Sequence, residues 1–196
     1  MDIDCGHTLP PIARATVASA LGRVHRADED APWLQETGAT FVTLTQRGQL
    51  RGCIGTLEAR RSVLADVKAN ALAAALRDPR FAPLRAAELA LTHFEVSLLS
   101  AMQPMDFGSE AEALEQLRPG VDGVLLEFGR YRSTFLPQVW EQLPSPDEFM
   151  AHLKHKAGLP VDFWAEGVRL QRYTVSKWKE TGLAPDPTAA REGVAP

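Results

Sequence analysis

Cysteine is scarce in this chain: Cys5 and Cys53 are the two it has among 196 residues. Two thiols do not make the disulfide framework that staples small secreted domains. Aromatic residues are sparse as well, at 7%, and no stretch interleaves them with bases as nucleic-acid binders do. Basic charge is in deficit, 21 Lys and Arg against 25 Asp and Glu, for a formal net charge of −4. That balance attracts neither nucleic acid nor an anionic membrane, and neither is expected as a partner. No apolar run approaches the roughly 18 residues of a membrane span. The opening MDIDCGHTLPP carries acids where a secretory signal carries bases. The chain is therefore expected in a reducing cytoplasm.

Several chemistries lack their signatures. There is no CxxC pair, no HExxH and no Asp-rich calcium loop, so no metal is expected. A Walker loop, a GxGxxG turn and the GxSxG hydrolase elbow are missing too, and no cofactor is expected. His152 and His155 are three apart on a helix, but Lys154 and Lys156 interleave with them and read as a solvated face.

What is present is ordinary globular material, 45% apolar and 23% charged, enough for one domain or a domain with a smaller lobe. Residues 1–8 are expected to be a tail and 181–196 a disordered one, with the folded domain over 9–180. Ile12, Thr16, Val17, Ala20, Leu21 and Val24 fall at helical spacing. ATFVTLTQ alternates, a QRGQ turn follows, and LRGCIGTLE returns as the second arm of a hairpin. Ser62 caps a helix rich in Ala and Leu that Pro79 stops. THFEVSLLS reads as a strand. Ser109 and Glu112 form a capping box, GVDGVLLEF and STFLP a second hairpin, and Ser145 to Gly158 a capped helix. VRLQRYTVSKWKE reads as one closing strand. Hairpins mean antiparallel pairing, so the fold class is α+β, with antiparallel sheets and flanking helices.

The stretch LRGCIG, residues 50–55, puts two glycines inside a strand, where glycine weakens pairing. Strict alternation sets Leu50 and Ile54 toward the core and Arg51 and Cys53 together on the other face. A guanidinium is not buried alone, so Arg51 should meet solvent, a cleft or an acid. Beside a thiol it favours the thiolate, the nucleophilic and metal-binding form. Gly52 and Gly55 then give clearance for a ligand, or allow a bulge that re-aims Cys53. The competing reading makes Cys53 a small buried hydrophobe. Farther on, Arg77, Asp78, Arg80 and Arg85 form either a surface loop or an anion-recognising rim. Pro137, Gln138 and Trp140 form either a packed turn or a pocket wall with an amide donor.

LRGCIGTLE, ALRDPRFAPLRAAEL, EVSLLS, GVDGVLLE, TFLPQVWEQLPSPDEFMAHLKHKAGL and YTVSKW occur in that order. Together they resemble the AMMECR domain family, whose bacterial branch is the AmmeMemoRadiSam system protein A-like proteins. The resemblance spans residues 9–180 and includes the whole LRGCIG signature. It implies an α+β fold with a larger and a smaller lobe, and a cleft between them lined by the signature. It implies Memo-type and radical SAM proteins as partners, and carries no settled activity. Glu95 falls where relatives hold an acid, and is implied to pair with Arg51 or to accept a proton.

Two functions are weighed on this basis. In the first, the protein is a thiol-dependent enzyme acting on a small molecule or a modified side chain. Cys53 and Glu95 are then catalytic, and Arg51, Gly52, Gly55, Arg80 and Gln138 bind the substrate. In the second, it is a non-catalytic adaptor whose LRGCIG stretch is structural.

Overall fold

The structure is a computed structural model that describes residues 5–180; the tail expected at 181–196 lies outside the described residues. The chain divides into two compact units. One is built from the chain up to Leu98 and again from Ser176, the other from Leu99–Val175.

The first unit opens with helix α1, Cys5–Ala20. It starts before the expected position, so Cys5–Thr8 are helical rather than tail. Cys5, Leu9 and Ile12, spaced three or four apart, are buried on one stripe. The helix also stops early. Gly22 takes φ 72°, and the Arg23 N–H closes on the Ala18 carbonyl at 2.8 Å, a Schellman stop. Val24, counted by periodicity into the apolar stripe, lies beyond that stop and is 94% exposed.

Strands β1 (Thr37–Gln46) and β2 (Gln49–Gly55) form the expected hairpin. Arg47 and Gly48 both have positive φ at its turn, the primed geometry that matches strand twist. A two-residue strand β3 (Arg61–Ser62) pairs with the start of β1. Helix α2 (Val63–Leu76) follows, its first turn capped by the Ser62 hydroxyl, which accepts the Ala65 N–H. Strand β4 (His93–Leu99) comes next. The sheet runs β2-β1-β4-β9, where β9 is Val175–Lys179, with β3 also on β1. Val42, Leu44, Phe94 and Val96 share one core with Ile12 and Val17 of α1 and Val67, Ala71 and Ala74 of α2. Within this order β2 is an edge strand.

The second unit holds β5 (Gln103–Pro104), helix α3 (Glu110–Glu115), β6 (Gly123–Phe128), β7 (Tyr131–Phe135), helix α4 (Pro146–Ala157) and β8 (Arg169–Tyr173). Its sheet order is β5-β8-β6-β7, antiparallel throughout. The Ser109 cap accepts the Glu112 N–H as expected, but the Glu112 carboxylate takes the Gly108 N–H, so the box closes one residue early. Gly158 ends α4 at φ 87°. Trp140 stacks on Phe149 at 3.8 Å and donates its ring N–H to the Asp122 carbonyl. The closing strand read as continuous over 168–180 is two strands. β8 pairs in the second sheet and β9 in the first, with the break at Thr174, whose N–H and C=O are held by Ser100.

Candidate functional site

The LRGCIG arm is not a regular strand. Cys53 faces Thr43 and Gly52 faces Leu44, but Leu50 faces Thr45, so Arg51 is an extra residue, a β-bulge. A one-residue slip inverts the alternation. Leu50, expected in the core, is 44% exposed. Ile54 packs against the core as expected. Arg51 and Cys53 therefore do not share a face. Arg51 turns to Glu88, donating from Nε at 3.1 Å and from Nη2 at 3.4 Å. The same carboxylate accepts the Arg85 amide at 2.9 Å. Burial pushes the Glu88 carboxyl up, but the Arg85 amide, Arg51 and Gln46 outweigh it and hold the group below its ordinary range. The acid that Arg51 requires is thus Glu88, a residue of the 3-10 turn Ala86–Leu91. Arg51 Nη1 is buried without a hydrogen-bond partner.

Neither glycine holds space for a ligand. A Cβ on Gly52 would lie 2.2 Å from the Ala74 carbonyl oxygen, so helix α2 rests directly on the strand there. A Cβ on Gly55 would lie 2.1 Å from Cγ of Phe41, whose ring covers it. Both clearances belong to the packing of the first unit, which corrects their assignment to substrate.

Cys53 sits on the face opposite α2, half-buried, its sulfur 3.4 Å from the Thr43 hydroxyl. Its backbone polar groups point away from β1. The N–H donates to Asp78 Oδ2 at 2.9 Å, and the C=O accepts from Arg80 Nη2 at 2.9 Å. Arg80 also donates to Asp78 from Nε (2.9 Å) and Nη2 (2.7 Å). The Arg80 hydrogen bond, with the Cys53 and Arg80 amides, overrides burial and holds the Asp78 carboxyl well below the usual carboxylate range. Arg80, proposed from sequence as a substrate contact, is therefore engaged with Asp78 and the Cys53 backbone.

Glu95 is not beside the signature. β1 stands between β2 and β4, two strand spacings or about 9–10 Å. Its carboxylate lies 3.7 Å from Lys179 Nζ on β9. Alternation with buried Phe94 and Val96 turns it toward the Cys53 face. Gln138 belongs to the second unit, exposed on the 3-10 turn Pro137–Glu141.

Sequence reasoning missed a buried polar cluster. Asp66, fully buried, accepts from the Thr40 amide and hydroxyl, the Thr56 hydroxyl, Arg61 Nε and Asn70 Nδ2, all within 2.9 Å. Its signal was available: Asp66 and Asn70 are four apart on the helix face that carries Val63, Val67 and Ala74. With every lone pair engaged, it reads as a strut between β1 and α2. Among the described residues no group of three or more His, Cys, Asp or Glu could hold a metal ion, and no helix is long and apolar enough to cross a membrane.

The AMMECR1 family profile matches residues 11–178. The chain belongs to the AMMECR1 family. A relative from Methanothermobacter thermautotrophicus is 35% identical over 188 residues, covering 91% of this chain and 96% of that protein. One from Thermofilum pendens is 34% identical over 195 residues, covering 90% of each. The crystal structure of the uncharacterized protein PH0010 from Pyrococcus horikoshii is similar in fold, with a TM-score of 0.76 and 29% identity over 93% of this chain and 95% of that one. As an AMMECR1-family chain, the protein has the mixed α+β architecture with antiparallel sheets that its motifs implied.

Proposed function

We propose that the LRGCIG arm is a rigid mount for one thiol, and that Cys53 is the reacting group of a cytoplasmic thiol-dependent enzyme acting on a small molecule or a modified side chain. One observation carries this: the division of labour within the hexapeptide. Gly52 is taken up by helix α2, Ile54 by the core, Gly55 by Phe41 and Arg51 by Glu88. Leu50 is exposed and carries no reactive group, and the Cys53 side chain is half-buried on the far face of the sheet, with a hydroxyl as its partner. Fixing a functional atom through its supporting residues is how sites gain precision. Arg51 and Arg80 are each neutralised by a carboxylate, so neither is assigned to anion binding, and Glu95 is given no role. Family likeness supports placing the reaction among Memo-type and radical SAM proteins, which would make or consume the substrate.

The adaptor reading rests on the same filled glycines, since a purely structural hairpin would also use them. Iodoacetamide separates the two readings. On a thiol site, folded protein is alkylated at Cys53 while buried Cys5 is spared, as mapped by peptide mass spectrometry. Protein left unmodified at Cys53 under those conditions would sink the enzyme reading. In cells, Cys53→Ser should abolish complementation of a deletion strain with fold and abundance unchanged; full complementation favours the adaptor.

A further inference from the structure

We infer that Asp78 and Arg80 are positioning residues that set the direction in which the Cys53 side chain leaves strand β2. This deepens the thiol-site reading and rests on it for its functional meaning.

An antiparallel edge strand presents every second residue's N–H and C=O to solvent, and such edges are ordinarily the loosest part of a sheet. Cys53 is at such a position. Here a side-chain pair replaces the missing neighbour strand. Asp78 accepts the Cys53 N–H, Arg80 donates to the Cys53 C=O, and Arg80 Nη2 bonds both Asp78 and that carbonyl, closing a ring. The ring is built on a stiff base. Asp78-Pro79-Arg80-Phe81 is a turn closed by the Phe81 N–H on the Asp78 carbonyl at 3.1 Å, with proline at its second position. The Arg80 N–H also returns to Asp78 Oδ1 at 3.1 Å. Asp78 is 4% exposed, so its carboxylate is shielded from competing water.

On the other side of the residue, β1 supplies the Thr43 hydroxyl to the sulfur. The backbone is thus gripped from the edge and the side chain from the sheet. The pair grips Cys53 through two backbone hydrogen bonds, one to its N–H and one to its C=O. Lysine is a poor substitute at Arg80, since a single ammonium cannot reproduce the planar fork.

The test uses full-length protein labelled for nuclear magnetic resonance, with parent, Arg80→Lys and Asp78→Ala compared. If the pair positions Cys53, its Hα–Hβ couplings report one rotamer in the parent and averaged values in both variants. The Cys53 amide should also exchange about tenfold faster in the variants, while amides of the β1 core stay protected. Should Asp78→Ala fail to fold, Arg80→Lys, which keeps the buried acid, decides alone. Unchanged couplings and unchanged exchange in folded Arg80→Lys would overturn the inference. Failure of alkylation at Cys53 would remove the thiol-site reading without touching this result, so the two can fail separately.

Discussion

At the scale of single residues, the two signature glycines differ in what they touch, and their substitution should differ accordingly. Gly52 faces a backbone carbonyl of α2, which cannot step aside without moving the helix, whereas Gly55 faces an aromatic side chain. Gly52→Ala should cost about 2–3 kcal/mol, the upper range of overpacking, and Gly55→Ala about half of that as Phe41 re-seats. Urea unfolding of the two variants provides the comparison, and equal losses would contradict the packing described. Cys53 stands out by its sequence neighbours, and in the structure its side chain is half-buried on the sheet's far face. Arg51 was not placed correctly, because alternation assumes a regular strand. A bulge leaves no mark in a single sequence beyond the glycine next to it, and that glycine has an independent cause in α2. Arg51 needed an acid, but which acid depended on a turn 37 residues away.

At the scale of elements, hairpins, caps and stops were readable wherever their chemistry is local. Arg47-Gly48 turned the first hairpin, Ser62 began α2 and Gly158 ended α4. Errors came where tertiary partners decide. The stretch 168–180 alternates enough to read as one strand, yet Thr174 breaks it because each half finds a different sheet. Strand order was equally hidden, which is why Glu95 was drawn toward Arg51 while β1 in fact intervenes. Loops attached by carboxylates also give the protein a defined acid response. Asp78 and Glu88 have folded pKa values below their unfolded ones, so their contribution is present above about pH 4 and is lost as pH falls through the folded values. Stability of the parent should therefore drop on going from pH 5 toward pH 2–3. Asp78→Asn should be less stable at neutral pH and show a shallower acid slope, measured as urea midpoints against pH. An identical slope would mean that the Asp78 clamp contributes nothing to folding.

At the scale of the whole molecule, each unit owns a core: one around α1, α2 and Val42, the other around Phe149, Leu126 and Leu170. The second unit is one continuous segment, Leu99–Val175. Expressed alone, that segment should unfold cooperatively on heating and keep the near-ultraviolet signal of the Trp140–Phe149 stack. A fragment without that signal would show that its core depends on the rest of the chain. The first unit has no such continuous segment, because its last strand follows the second unit in sequence. The α+β class could be derived from hairpin signals, but this interleaving could not, since nothing local marks a chain that leaves one sheet and returns to it.

That return has a consequence for biosynthesis. Arg14, 7% exposed on α1, donates to the carbonyls of Leu89 and Thr92 and pairs with Glu180, which lies 166 residues later. A ribosome releases the second unit in full before it supplies β9 and Glu180. For several seconds at ordinary elongation rates, the nascent first unit carries a cation destined for burial with no acid to meet it, and an unfilled edge on β4. Strand β9 and the Glu180 carboxylate then close a sheet begun before the second unit was made.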